Sequence, residues 1–354
     1  MALFVDNSDL ARDLSLHYPH LSIYHVPTFY PRDSSLWHPK ELQLLQVKPF
    51  EFKSAELFNA LGSTHQRLLG GDLTGKGLSN ATHATLEIWY RKFRPRFRPL
   101  RLPIEGGNCH LFLNARGETH ALVGRHSVIL CMIALKRQRY FTHARIQSYA
   151  EDSVRPKFVK WAKETGSNPK RLQTAYRITK GMIAEALNAP VTVLYQQEYH
   201  LDMFAHPIGQ GDDILLNSAS ETLAFLHTAD LGIPEPLKKE YLKHVSALQL
   251  RDILFVRKNQ HRLTKRGFRV IKVPAVFPHP TLGLNLINGI TIHLPEGPEF
   301  AIRKTAPMFA TLITEFWKQV KADLPTATLR EVGPPDHSDV VALKAGLHCN
   351  VAGI

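Results

Sequence analysis

Short apolar runs bounded by turn residues recur along the chain, and segments with helical spacing of their apolar positions alternate with them. β-Branched and aromatic residues flanked by Gly, Pro, Asn or Asp predict strands over 21–27 (LSIYHVP), 109–115 (CHLFLNA), 120–125 (HALVGR), 191–196 (VTVLYQ), 213–218 (DILLNS), 268–274 (FRVIKVP) and 289–295 (GITIHLP). Apolar positions three and four apart predict helices over 171–188, 236–263 and 306–324. Strands and helices in alternation point to an α/β or α+β fold with mixed sheets. The 21 glycines and 23 prolines are scattered as turn punctuation and no low-complexity linker interrupts the pattern, which argues against beads on a string and leaves one large domain over 1–354 and two domains equally open.

A chain of 354 residues can bury a large core without disulfide or metal staples. Cys109, Cys131 and Cys349 cannot all pair and none stands in a C-x-x-C arrangement, which fits thiols in a reducing, cytoplasmic compartment. The first residues, MALFVDNSDLARDL, are acidic where a signal peptide is basic, and no run of about 18 apolar residues occurs, so no membrane partner is expected. Export by a route that leaves no cleaved signal stays open. The formal charge of +13 suits either an anionic partner or a merely basic surface. Basic residues concentrate in YRKFRPRFRPLR (90–101) and RKNQHRLTKRGFR (257–269).

Five stretches carry candidate chemistry. GGDLTGKGLS (70–79) has the glycine and lysine spacing of a phosphate loop but puts Gly77 where the magnesium-binding hydroxyl belongs, so it reads as a glycine-rich surface loop and a candidate lid. PIEGGNCHLF (103–112) sets Glu105 before two glycines that permit close backbone approach; the carboxylate faces a cavity, or it is a solvated turn residue. QEYHLDMFAHPIGQGDD (197–213) has His200 and Asp202 two apart on a segment of strand character, hence on one face, as a base beside an anchor for a cation or as a structural pair. Asp33 follows the strand 21–27 and a proline turn, either lining a cleft or capping the next element. Cys349, after Gly346 and His348, is a nucleophile or a small buried hydrophobe.

Taken in chain order, R-D at 32–33, I-E-G-G-N at 104–108, H-L-D-M at 200–203 and G-L-H-C at 346–349 resemble the signature of the pentein superfamily, whose members include arginine, agmatine and peptidylarginine deiminases, dimethylargininases and amidinotransferases. The resemblance implies a five-bladed α/β propeller of ββαβ repeats around a central active-site channel. It implies Cys349 as nucleophile, His200 as general acid and base, Glu105 as the carboxylate that orients His200, and Asp33 and Asp202 as the pair gripping a guanidinium, with Arg125 anchoring a substrate carboxylate. The implied activity is hydrolysis of the guanidino group of arginine, agmatine or a protein arginine side chain, without metal or cofactor. Transfer of the amidino group to an amine, or a non-catalytic binding role on the same scaffold, are the alternatives. Nucleic acid is not the expected partner, and homo-oligomer formation is left open.

Overall fold

The structure is a computed structural model that describes residues 2–5, 8–25, 35–36, 43–46, 97–100, 102–104, 106–150, 153–196, 200–208, 211–333 and 351–353. It is a mixed α/β fold of helices and small sheets. Among the described residues, five three-stranded sheets share one connectivity: the central strand pairs antiparallel with one neighbour and parallel with the other.

The first sheet joins Val351–Gly353, Ala2–Val5 and Ser22–His25, and the second joins Ser35–Leu36, Gln43–Gln46 and Phe97–Leu100. The third joins Cys109–Leu113, Thr119–Gly124 and Val191–Leu194; the fourth, Ala205–Ile208, Asp213–Asn217 and Arg269–Val273; the fifth, Ile290–Leu294, Gly297–Arg303 and Thr328–Val332. In all but the second, whose connection lies outside the described residues, helix links the two parallel strands, as a parallel crossover requires. The leading strands touch in turn: Val351–Gly353 lies against Ser35–Leu36, that against Cys109–Leu113, and that against Ala205–Ile208. His206 Nε2, 3.0 Å from Thr291 Oγ1, carries the contact to the fifth sheet.

Local sequence explains the main elements. Pro169 opens the helix Pro169–Leu187, the Asn168 side chain accepts from Arg171 N at 3.1 Å, and Asn188 ends the helix in the left-handed region. Thr119–Gly124 is buried at every position because both its faces are covered: Ala121 and Val123 pack into one apolar cluster and Leu122 into another. The largest cluster of buried apolar side chains, around Phe225, Tyr241, Phe277, Phe300 and Phe316, packs the fourth and fifth sheets against the helices Glu235–Thr264 and Ala310–Asp323. The helix Ser8–His17 is fastened to the fifth sheet: Tyr18 donates to Glu299 Oε1 at 2.5 Å and Asp13 Oδ2 accepts from Gly333 N at 2.6 Å. Burial raises the Glu299 carboxyl pKa, but hydrogen bonds from Arg330 and Tyr18 outweigh it and leave the pKa below its ordinary value.

Element boundaries change at two helices. The strand over 120–125 ends at Gly124, and Arg125 opens the helix Arg125–Arg137. The helix over 306–324 begins at Ala310, after a 3₁₀ turn Pro307–Phe309. The stretch 70–79 lies outside the described residues, as does most of 90–101 apart from the strand Phe97–Leu100.

Candidate functional site

The site is built on two 3₁₀ turns, Gly106–Asn108 and Leu201–Met203, each running directly into the leading strand of its sheet or one residue short of it. His200 caps the second turn, so His200 and Asp202 do not sit on a strand with a shared face, as their spacing implied; they occupy a tight turn. His200 itself is extended, and only Asp202 of the pair lies inside the 3₁₀ turn. Both are buried, His200 at 7% exposure and Asp202 at 0%.

What shapes this turn is a contact across the chain. A Cβ on Gly107 would stand 2.5 Å from His200 Nδ1 and 2.8 Å from Cγ, so the imidazole lies directly on the glycine backbone. Only a residue without a side chain permits that approach. Beside it, Asn108 Oδ1 accepts from Gln196 Nε2 at 2.7 Å and from Leu201 N at 3.2 Å. Gln196 Oε1 in turn accepts from His126 N at 2.7 Å. Gly124 makes room for this node, since a Cβ there would meet Gln196 Oε1 at 2.5 Å. One buried amide therefore ties the I-E-G-G-N stretch to the H-L-D-M stretch, and a second ties both to the start of the helix Arg125–Arg137.

A further layer supports the turn from the far side. Asn285 Nδ2 donates to the Met203 carbonyl at 3.2 Å, and Asn217 N donates to the Phe204 carbonyl at 2.8 Å. His110 Nε2 donates to the Ala205 carbonyl at 2.9 Å, with its ring edge-on to His206 at 5.3 Å. Gln196 and Asn285 were not singled out in the sequence, and Asn108 entered only as the last letter of I-E-G-G-N with no role assigned; their work lies in pairings across distant segments.

Arg125 sits at the first position of its helix with its guanidinium carbon 5.4 Å from the Trp161 ring and 5.7 Å from the Tyr195 ring, where burial lowers its pKa and the nearby Tyr176 and Tyr195 oppose the drop. Cys109 and Cys131 are core side chains with 0% exposure, and burial pushes the Cys131 thiol pKa well up, so it stays protonated. Cys349, Glu105 and Asp33 lie outside the described residues. Among the described residues no group of three or more His, Cys, Asp or Glu side chains could hold a metal ion, and no helix is long and apolar enough to cross a membrane.

Comparison of the sequence with protein-family models and with curated proteins gives no match. Among solved structures, the chain is similar to the agmatine deiminase of C. jejuni, at 14% identity and a TM-score of 0.43 over 94% of this chain and 75% of that one. It is similar to the N-terminal domain of ArgZ, an arginine dihydrolase from the ornithine-ammonia cycle in cyanobacteria, at 11% identity and a TM-score of 0.44 over 99% and 96%. It is also similar to the DDAH of Pseudomonas aeruginosa complexed with citrulline, at 9% identity and a TM-score of 0.40 over 100% and 98%. The solved structures that the chain is similar to thus include guanidino-modifying enzymes of the pentein superfamily.

Proposed function

We propose that the chain is a guanidino-group hydrolase, a deiminase that converts an arginine-like substrate to its ureido product and ammonia. One observation carries the reading: the imidazole of His200 is seated on Gly107, so two of the four motifs, far apart in sequence, meet in one buried place. The touching order of the leading strands supports a five-bladed α/β propeller, whose centre would collect residues from separate blades.

In this reading Asp33 and Asp202 grip the planar guanidinium through its forked donors, a geometry that carboxylates match well. The Cys349 thiolate attacks the central guanidinium carbon, and the bound cation helps lower the thiol pKa. The tetrahedral adduct collapses as the imidazolium of His200 protonates the departing nitrogen, which leaves as ammonia and gives a covalent amidino-thioether. Water then attacks the same carbon while His200 takes its proton, the sulfur leaves as thiolate, and the ureido product is released. Glu105 orients His200 from one residue before the glycine pair, and Arg125 takes the carboxylate of an amino-acid substrate. That Cys109 and Cys131 are core side chains favours Cys349 as the nucleophile.

The test is incubation of the protein with arginine, agmatine and an arginine-containing peptide, following ureido product and ammonia together. Product from one of them that disappears in Cys349→Ser and His200→Gln supports the assignment. No product from any substrate overturns it, and ammonia-free transfer to an added amine replaces hydrolysis by amidino transfer.

A further inference from the structure

The basic run at 257–269 has no part in the proposed guanidine chemistry, and the fold gathers it with other cations around one cavity. Its helical portion forms the last turns of Glu235–Thr264, which bring His261 and Arg262 to the wall of a cavity of about 570 Å³; Lys265 and Arg266 follow from the turn beyond. The opposite wall is the face of Pro169–Leu187 that carries Tyr176, Arg177 and Lys180, at the spacing that aligns side chains on one helix face. Arg155 and Lys157, at the start of the helix Pro156–Thr165, complete the wall, and Val191–Val193 line it beside them.

Among the described residues no Asp or Glu lines this cavity. Gathering cations in a half-buried space without carboxylates is unfavourable, and its cost is visible in Lys157, whose pKa burial and the neighbouring Arg262, Arg125, Arg155 and Lys180 bring down to about 8. Lys180 is lowered too, by burial and by Arg266 and Arg262. One of these cations is anchored: Arg262 donates to the Val193 carbonyl at 2.5 Å, and Asn259 on the same helix brackets Tyr195, accepting from its N–H and donating to its carbonyl, both at 2.8 Å. A cationic guanidinium is repelled here, so the cavity does not take the guanidino group of the proposed substrate.

We propose that this cavity is a binding site for a compact anion carrying several phosphates, held by Lys157, Lys180, Arg262, Lys265 and Arg266. The volume of this half-open cavity falls in the range of small-ligand sites, and its lining closes around one place on three helices and a strand, not along a groove that would track a nucleic-acid strand. The number of converging cations exceeds what a single phosphate engages, which selects a ligand with two or more.

Calorimetric titration of the full chain with sodium tripolyphosphate, orthophosphate and a single-stranded RNA oligonucleotide tests this. Tripolyphosphate should bind once per chain, at least about tenfold more tightly than orthophosphate, and less tightly as salt rises. The exposed pair substitution Lys265→Gln with Arg266→Gln should weaken it by about tenfold or more. Lys180→Gln, on the other wall, should weaken it as well, with thermal melts showing both variants folded. No saturable binding overturns the proposal, as does equal binding of orthophosphate or unchanged affinity in both variants. Tighter binding of RNA than of tripolyphosphate, lost in the same variants, also overturns it in favour of a nucleic-acid surface. None of these readouts uses turnover, so they stand or fall apart from the deiminase reading.

Discussion

Gly107 and His200 are in contact so close that a single added methyl on the glycine would stand 2.5 Å from the imidazole Nδ1. The atoms it would strike belong to a side chain, so the strain falls on the ring and not on the backbone. Gly107→Ala should therefore leave a folded protein with a displaced His200. A misplacement of about 1 Å costs on the order of 100-fold in rate. We expect kcat to drop by about that factor while the melting temperature stays close to the parent's; an alanine variant with full turnover would show that His200 has no part in the chemistry.

Asn108 Oδ1 is the acceptor for both Gln196 Nε2 and Leu201 N. Removing it leaves two buried donors to find other partners, at a cost of about 1–3 kcal/mol each. Asn108→Ala should lower stability in denaturant titration and lower kcat more than it raises KM, since it loosens the turn holding His200 and Asp202. Asn108→Asp, which keeps an acceptor at the same place, should recover part of the rate. A variant with unchanged stability would mean the node contributes nothing.

Much of the fold was legible where one face of an element is apolar and its ends are punctuated. The strand expected over 213–218 is Asp213–Asn217, and the helices expected over 171–188 and 236–263 are Pro169–Leu187 and Glu235–Thr264. The helix Arg125–Arg137 was hidden: its interior, VILCMIAL, is apolar all round, and Gly124 caps it without a side-chain hydrogen bond, so no polar residue marks the boundary. The His200 turn was read as strand because its local residues alternate. The 3₁₀ conformation there goes with long-range contacts to Gly107, Asn108 and Asn285, which no local pattern encodes.

His120 predicts a dependence of stability on pH. Its ring lies between Phe112 and Phe268 with Nε2 3.0 Å from Thr192 Oγ1, and burial, with Arg266 and Lys180 nearby, lowers its pKa from 6.5 to about 4. Because the folded-state value is the lower one, the unfolded chain takes up a proton that the folded chain refuses between these two values. The contribution is thus fully present above pH 6.5 and is lost as the pH falls to about 4, by at most about 3 kcal/mol. His120→Gln, which keeps a polar partner for Thr192 and cannot titrate, should flatten this limb of the stability curve. An identical acid limb in the variant would assign the loss to other groups.

The strand Val351–Gly353 pairs antiparallel with Ala2–Val5, placing Val351 opposite Val5 and Gly353 opposite Leu3. Removing residues 351–354 would reduce the first sheet to two strands, an arrangement of marginal stability. The truncated chain should melt at a lower temperature and, with Cys349 just before the missing strand, lose turnover. A truncation with the parent's melting temperature would mean the pairing adds nothing to the fold.

Arg125 offers a way to distinguish substrates. Its helix start is tied to the Asn108–Gln196 node beside His200 through His126 N, and its guanidinium packs on Trp161 and Tyr195. If it takes the carboxylate of an amino-acid substrate, Arg125→Gln removes a charge-assisted bond worth about 1.5–3 kcal/mol, or roughly ten- to a hundredfold in binding. KM for arginine should rise by that factor with kcat little changed, because the bond is made alike in ground and transition states. Agmatine has no carboxylate, so its KM should stay within about twofold of the parent's. Equal losses for arginine and agmatine would assign Arg125 to holding the helix start in place, and measuring both substrates on the same folded variant separates the two roles.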